Sequence, residues 1–316
     1  MTDFDLTPME PVPWPDPFDE PGWLHQVKWD GVRMFCIADQ GVRLVNRRGH
    51  PRTLQYPEVA AGLMDLPQGT VLDGEIVAVV NGRPSFHRVL QRDFASQPAA
   101  IKARQTSIPV SYLVFDLLYC REKDVRQLSL LERQSLLADL CPGQHPLVHL
   151  VESFPSGKTL FSASVQQGLE GIVAKQQQSP YLPGKRSAAW RKIKRFHEVW
   201  CVVGGYTRKQ GQLSALLLGL LTDDQALVFV GAAGSGLSGA DWQAILPFLT
   251  AAEAGEPPFQ IAPASSGSRE VHWVQPKLAV KVSFMEWSPA LRLRAPVIVG
   301  FQAAATVDCS FSGQGV

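Results

Sequence analysis

The polarity pattern of the chain is that of short strands separated by glycine-containing turns, with helices at intervals. Residues 1–22 carry Pro8, Pro11, Pro13, Pro15, Pro17 and Pro21. Their fixed φ and missing N–H imply an extended lead-in without helix or central strand. Val32 to Ala38, a turn at Asp39-Gln40-Gly41 and Val42 to Val45 read as a β-hairpin that ends in the polar turn Asn46-Arg47-Arg48-Gly49. Tyr56 to Leu66 predicts a short helix. Val71 to Val80, turned by Asn81-Gly82, predicts a strong strand. On that strand Asp73 and Glu75 share one face, and Leu72 and Ile76 pack on the other. Val110 to Tyr119 predicts another apolar strand, carrying a single acid, Asp116. Ser129 and Glu132 fit a capping box for a helix to about Leu140, and Gly157 to Gln167 predicts a second helix closed by Gly168. Strands follow at Glu170 to Lys175 and around Trp190 to Lys194.

After Phe196 the texture changes. Strand-like segments at Val199 to Tyr206, Leu213 to Leu221, Ala226 to Val230 and Ala279 to Trp287 alternate with glycine-rich turns such as Gly231 to Gly239. One helix is expected from Ala240 to about Leu246, where Pro247 disfavours its continuation. Thr250 to Arg269, rich in Ala, Pro, Ser and Gly, reads as a long loop. Several short strands and one helix predict a small barrel of the oligonucleotide-binding kind. The class is therefore α+β: antiparallel sheets with flanking helices over residues 1–198, then a β-barrel over 199–316.

Composition adds constraints. A length of 316 residues exceeds what one core usually organises, in keeping with two domains. A net charge of +1 gives no global attraction to nucleic acid, so any such site must come from local clustering. No apolar run is long enough for a spanning helix. Six acids and no Lys or Arg precede Lys28, which argues against a signal peptide. Cys36, Cys120, Cys141, Cys201 and Cys309 are scattered and odd in number, as suits reduced thiols in a cytoplasm. Common nucleotide and metal signatures are missing. Gly184-Lys185 looks like the end of a P-loop, but Ser179 replaces the first glycine and Arg186 the Ser or Thr; no H-E-x-x-H or C-x-x-C occurs. Gly231, Gly234 and Gly236 lack the strand-to-helix setting of a dinucleotide site and read as a loop.

The most concentrated chemistry is Val27-Lys28-Trp29-Asp30-Gly31-Val32-Arg33. A lysine acting as a nucleophile must lose its proton, at a cost of roughly 4–5 kcal/mol at pH 7. Burial and neighbouring cations offset that cost. Attack on phosphorus also needs a bound anion, a metal and further cations for the oxygens that gain charge. The plainer alternative is a surface ion pair between Lys28 and Asp30 at the Gly31 turn. Two carboxylates, Asp73 and Glu75, on one face of an apolar strand are costly unless they meet a cation or metal. Lys185 to Arg195 holds six basic residues in eleven. Alternation there puts Lys192 and Lys194 on one face and Arg191 and Ile193 on the other, which favours an inward anion site over a solvated face.

Six segments in order complete the pattern: Lys28-Trp29-Asp30-Gly31-Val32-Arg33, Asn46-Arg47-Arg48-Gly49, Asp73-Gly74-Glu75-Ile76-Val77, Phe115-Asp116-Leu117-Leu118-Tyr119, Glu170-Gly171-Ile172-Val173-Ala174-Lys175 and Trp190-Arg191-Lys192-Ile193-Lys194. Together with a stretch like Ser179 to Ser187, this resembles the ATP-dependent DNA ligases, above all the ligase domain of bacterial end-joining ligases, over roughly residues 8–302. The resemblance implies a nucleotidyltransferase (adenylation) domain followed by an OB-fold barrel. It implies that Lys28 attacks the α-phosphorus of ATP, passes AMP to a DNA 5′-phosphate, and that a 3′-hydroxyl then seals the strand. It assigns Asp30 to supporting the nucleophile, Lys192 and Lys194 to the α-phosphate, and Phe115 to stacking on adenine. Gln26 reads the adenine edge next to Val27, Arg33 and Arg47 meet ribose and the 5′-phosphate, and Glu75 and Glu170 serve ribose and a Mg2+ or Mn2+ ion. Lys175 and Arg186 complete the nucleotide contacts. The implied partners are broken or nicked duplex DNA and a Ku-like end-binding protein, for a monomeric protein of the bacterial cytoplasm or nucleoid with no membrane association.

One departure stands out. Many relatives carry an Arg-x-Asp-Lys where this chain has Gln302-Ala303-Ala304-Ala305, which implies slower self-adenylation or a substitute such as Arg292, Arg294 or another cation. The competing readings are an RNA ligase or capping-type nucleotidyltransferase, which share the lysine chemistry, and a catalytically silent DNA-end-binding module.

Overall fold

The computed structural model describes residues 6–80, 82–140, 145–263, 270–288, 290–304 and 307–315. Asn81, Cys141, residues 264–269 and Ala305, which figure in the expectations above, lie outside them. The chain divides into two compact units, residues 1–195 and 196–316.

The first unit contains, in order, β1 (Glu10–Pro13), β2 (Trp23–Val27), β3 (Val32–Ala38), β4 (Val42–Asn46), α1 (Pro57–Ala61), β5 (Thr70–Val80), β6 (Arg83–Pro84), α2 (Phe86–Asp93), α3 (Pro98–Ser107), β7 (Val110–Cys120), β8 (Lys123–Asp124), α4 (Leu130–Leu140), β9 (Val148–Leu150), α5 (Gly157–Gln166), β10 (Gly171–Gln176) and β11 (Arg186–Lys194). Two sheets result, one in the order β1-β11-β10-β2 and one in the order β4-β3-β5-β7-β8, with β6 on β5 and β9 on β7. Proline-rich β1 takes an edge, where a missing N–H costs no ladder bond.

Side-chain alternation sorts this unit into layers. On β3, Met34 and Cys36 enter one core while Phe35 and Ile37 enter another. The first core also takes Leu72 and Ile76 of β5, with Val59 of α1, Val89 of α2 and Leu137 of α4 laid over the sheet. The second holds Val71, Leu118, Tyr181, Met9 and Trp190, so the inner faces of the two sheets meet there. The far side of β10 and β11 buries Ile172, Ala174 and Ile193 against Leu160 of α5.

Some expectations change. The helix expected from Tyr56 to Leu66 is confined to α1, followed by turns. Helices α2 and α3 were not anticipated, because polar residues dominate α2 and α3 buries none of its side chains. The Ser129–Glu132 capping box is present, with Glu132 accepting from the Ser129 N–H at 2.8 Å.

The second unit contains β12 (His197–Lys209), β13 (Gln212–Leu221), β14 (Leu227–Ala233), α6 (Gly239–Ala251), β15 (Glu253–Ala254), β16 (Glu270–Val274), β17 (Leu278–Phe284) and β18 (Val297–Ala303). Antiparallel pairing runs β14-β13-β12-β17-β18. The Ile298 N–H donates to the Ser235 carbonyl at 2.8 Å, and that of Leu293 to Val230 at 2.8 Å. These bonds return β18 to the end of β14 and close a five-stranded barrel of the OB type. Helix α6 begins at a capping box of Ser238 and Asp241 and, contrary to expectation, runs through Pro247. Leu249 is buried in the barrel core with Trp242 and Ile245 beside it, and this packing outweighs the bond that Pro247 forfeits. The loop expected from Thr250 therefore starts later. Within it Phe259 is buried against Gly204 and Gly219, where a Cβ would come within 2.4 and 2.9 Å of its ring.

Candidate active site

The inner faces of the first unit enclose a cavity of about 450 Å³. Register explains which side chains reach it. β10 lies between β2 and β11, with Val173 opposite Gln26 and Lys192, and Lys175 opposite Leu24 and Trp190. Gly171 pairs with Lys194 and accepts the Lys28 N–H at 2.9 Å. Gln26, Lys28, Lys175, Lys192 and Lys194 consequently share one face, and all line the cavity. Gly171 has φ +143° and its Cβ would lie 2.1 Å from the Ile193 carbonyl oxygen, so the close approach of β10 and β11 requires glycine there.

At the centre Glu170 holds two cations, Lys28 Nζ at 2.5 Å from Oε2 and Lys194 Nζ at 2.6 Å from Oε1. Burial would raise the Glu170 carboxyl, but Lys28 and Lys194 outweigh it and hold it below its ordinary range. Glu75 behaves oppositely. Its side chain makes no hydrogen bond or ion pair among the described residues, and burial pushes its carboxyl up to about 8 against the charges of Lys28 and Arg33. Burial, with Lys194 and Lys28 nearby, pushes Lys192 below its usual range. An excess of inward cations of this kind is a site short of an anion.

The sheet opposite supplies the rest. Arg33 grips Asp73 with two bonds of 3.0 and 2.6 Å and donates to the Met9 carbonyl at 2.7 Å. The Tyr181 hydroxyl donates to the same Asp73 carboxylate at 2.7 Å. Asp73, fully buried, thus meets a cation, while its face-mate Glu75 lines the cavity. A bulge in β7 skips Phe115 between the pairs Asp73–Asp116 and Gly74–Val114, and the skipped residue turns to the cavity.

Val27, Asp30, Arg33, Arg47 and Phe115 also line the cavity. Gln26 is anchored to Ser153 Oγ at 3.0 Å. Glu170 lies behind Lys28 and Lys194 rather than on the cavity wall, and Arg186 stands at the exposed start of β11, outside the lining. Arg191 turns away, as alternation requires, and stacks on Trp14 and Trp23 at 3.8 and 4.2 Å. Sequence reasoning missed Tyr181 and Arg133. Arg133 is fully buried on α4 and holds Asp116 with bonds of 2.7 and 3.0 Å. The Ser179 to Ser187 stretch was the only signal for Tyr181. In the second unit, Arg292 donates to the Phe229 carbonyl and Arg294 pairs with Glu286 at 2.6 Å, so both proposed substitutes for Arg-x-Asp-Lys have local partners.

The residues present fit a hard divalent cation. Among the described residues no three His, Cys, Asp or Glu gather to hold one, but magnesium bound with nucleotide needs only one or two carboxylates, since phosphate and water complete its shell. Glu75, half-buried on the cavity wall and without a hydrogen bond or ion pair among the described residues, is such a carboxylate.

A lysine amine facing further cations across a cavity of nucleotide size is suited to covalent nucleotidyl transfer. Residues 16–194 match the family described as ATP dependent DNA ligase domain, and residues 209–304 match ATP dependent DNA ligase C terminal region. The chain belongs to the ATP-dependent DNA ligase family. It is 33% identical over 280 residues to the multifunctional non-homologous end joining DNA repair protein LigD of Mycobacterium tuberculosis, covering 86% of this chain and 35% of that protein. It is 34% identical over 197 residues to the SPbeta prophage-derived DNA ligase-like protein LigB of Bacillus subtilis, covering 61% and 69%. The chain therefore spans about a third of the length of the LigD relatives it matches. Among solved structures, the ligase domain of M. tuberculosis LigD aligns over 95% of this chain and 96% of that one, with 29% identity and a TM-score of 0.55. Mycobacterial DNA ligase D complexed with ATP and MES aligns over 96% and 97%, with 28% identity and a TM-score of 0.55.

Proposed function

We propose that this chain is an ATP-dependent DNA ligase that seals 5′-phosphate/3′-hydroxyl breaks in DNA repair by end joining. The observation that carries the reading is the pair Lys28 and Lys194 on the wall of a cation-rich cavity, bridged from behind by Glu170. In the first step the Lys28 amine, once deprotonated, attacks the α-phosphorus of ATP. An N–P bond forms, the bond to pyrophosphate breaks, and the nitrogen gives up one further proton to solvent. A DNA 5′-phosphate oxygen next attacks that phosphorus and breaks the N–P bond, and the amine leaves with a proton. Finally the 3′-hydroxyl attacks the activated 5′-phosphate and releases AMP.

The side chains divide this work by position. Lys192 and Lys194 meet the α-phosphate, Phe115 stacks on adenine, and Gln26 and Val27 border its edge. Arg33, already fixed by Asp73, and Arg47 serve ribose and the 5′-phosphate, and Asp30 supports the nucleophile. Arg186, outside the cavity wall, meets phosphate only at its margin. Glu75 and Glu170 would hold a magnesium or manganese ion, whose chemistry is to neutralise charge gathering on the phosphate oxygens. Sealing should therefore require a divalent cation, and Glu170→Ala should lose sealing by at least about a hundredfold. Full activity in excess chelator would remove the metal from this scheme.

Residues 1–198 form the adenylation domain in this reading and 199–316 the OB barrel. Truncation after Phe196 should leave some transfer on a pre-adenylated nick, weaken DNA binding, and flatten its dependence on salt, because a barrel of this kind adds backbone contacts. Equal affinities and equal salt slopes for the two forms would assign the whole DNA site to the first unit. A Ku-like protein as partner and a cytoplasmic location rest on the end-joining relatives; no described helix is long and apolar enough to cross a membrane. The deciding experiment mixes the protein with radiolabelled ATP and magnesium, then offers nicked DNA and nicked RNA. A labelled protein that seals DNA is expected. Labelling by GTP, or sealing of RNA alone, would redirect the reading to the capping or RNA-ligase branch.

A further inference from the structure

Lys175 lines the nucleotide cavity, yet only 2% of it is exposed. Its surroundings are unusual for a lysine meant to meet phosphate. The ammonium lies 4.1 Å from the Trp190 ring and 4.5 Å from the centroid of Phe115, both within cation–π range. It donates to the Phe115 carbonyl oxygen at 3.3 Å, and no ion pair joins it to an acid among the described residues. Phe115 is the bulged residue of β7. Its neighbour Asp116 is held by Arg133, which also donates to the Leu128 and Ser179 carbonyls at 2.7 and 3.0 Å. Two cations from separate elements, Lys175 on β10 and Arg133 on α4, therefore fasten successive residues of one bulge.

A bulge leaves a residue unpaired in the ladder and free to turn. Where the ring on that residue must present a flat face, the freedom costs affinity, since a side chain immobilised on binding loses rotamer entropy. Fastening the main chain at Phe115 and placing a charge against its ring removes that motion before the ligand arrives. We propose that Lys175 is a positioning residue for the nucleobase, pinning the Phe115 bulge between Trp190 and Asp116–Arg133 so that the ring is set for stacking. The role differs from direct phosphate contact and rests on the nucleotide reading of the cavity given above.

The test compares Lys175→Met, which keeps length and loses charge, with Lys175→Arg, which keeps charge. Self-adenylation is measured as KM for ATP and as kcat. Lys175→Met should raise KM about tenfold with kcat changed less than about threefold. Lys175→Arg should bring KM back to within about threefold. Trp190→Phe, which trims one wall of the pin, is the second variant and should raise KM severalfold, so the idea stands or falls even where Lys175→Met does not fold. Unchanged KM in Lys175→Met or Trp190→Phe would overturn the proposal, as would a fall in kcat at constant KM. Wild-type protein that forms no adenylate would instead refute the ligase reading itself.

Discussion

Lys28→Ala should form no covalent AMP adduct above background under conditions in which the wild-type protein labels fully, as read by radiolabelled ATP on a denaturing gel. The wild-type adduct should be labile to acid and stable to alkali, as a phosphoramidate is. The expectation follows from the site: Lys28 is the cavity lysine that Glu170 holds at 2.5 Å beside Lys194. Lys28→Arg should fail equally, because a guanidinium does not give up its proton in proteins. Lys192 and Lys194 face the same cavity, so the experiment also discriminates among neighbours. An adduct that persists in Lys28→Ala would move the nucleophile to one of them.

The largest stability effect belongs to a residue remote from that chemistry. Arg133→Met should destabilise the first unit by about 3–5 kcal/mol, the cost of leaving one buried charge without its partner. Both Arg133 and Asp116 are fully buried, and four of the arginine's donated bonds would be lost. The double change Arg133→Met with Asp116→Leu should recover most of the loss, since the unpaired charge then goes too. Urea unfolding read on the first unit's transition measures both. A loss below about 1 kcal/mol in the single variant would show that water or a neighbouring cation compensates Asp116.

What could be read in the sequence was what register and local pairing decide. Strand alternation at Lys192 and Lys194 implied an inward face, and the pairing of β10 with β11 puts them there. Asp73 and Glu75 were correctly given one face but not different fates. Whether a buried acid meets a cation depends on Arg33, 40 positions away, and Tyr181, 108 away, and no local pattern encodes such partnerships. The bulge at Phe115 was equally invisible, because it is a property of the pair β5–β7 and not of either strand. α3 escaped notice because it buries no side chain and so shows no apolar stripe. Pro247 misled in the other direction: a local rule about proline yielded to the burial of Leu249.

The pairing of β1 with β11 also sets an order of assembly. Met9 donates its N–H to the Tyr181 hydroxyl across 172 positions, and Glu10 pairs with Arg186. During synthesis at 5–20 residues per second, the lead-in waits about 9–34 s for its partner strand to be made. Until then Met9, Trp14 and Trp23 have no sheet edge or Arg191 to cover them, and Asp73 lacks the bond from the Tyr181 hydroxyl. The cavity is thus among the last features of the first unit to form on the ribosome. Nascent chains halted before β11 should expose apolar surface to chaperones, whereas those that have passed it hold a site ready to bind nucleotide.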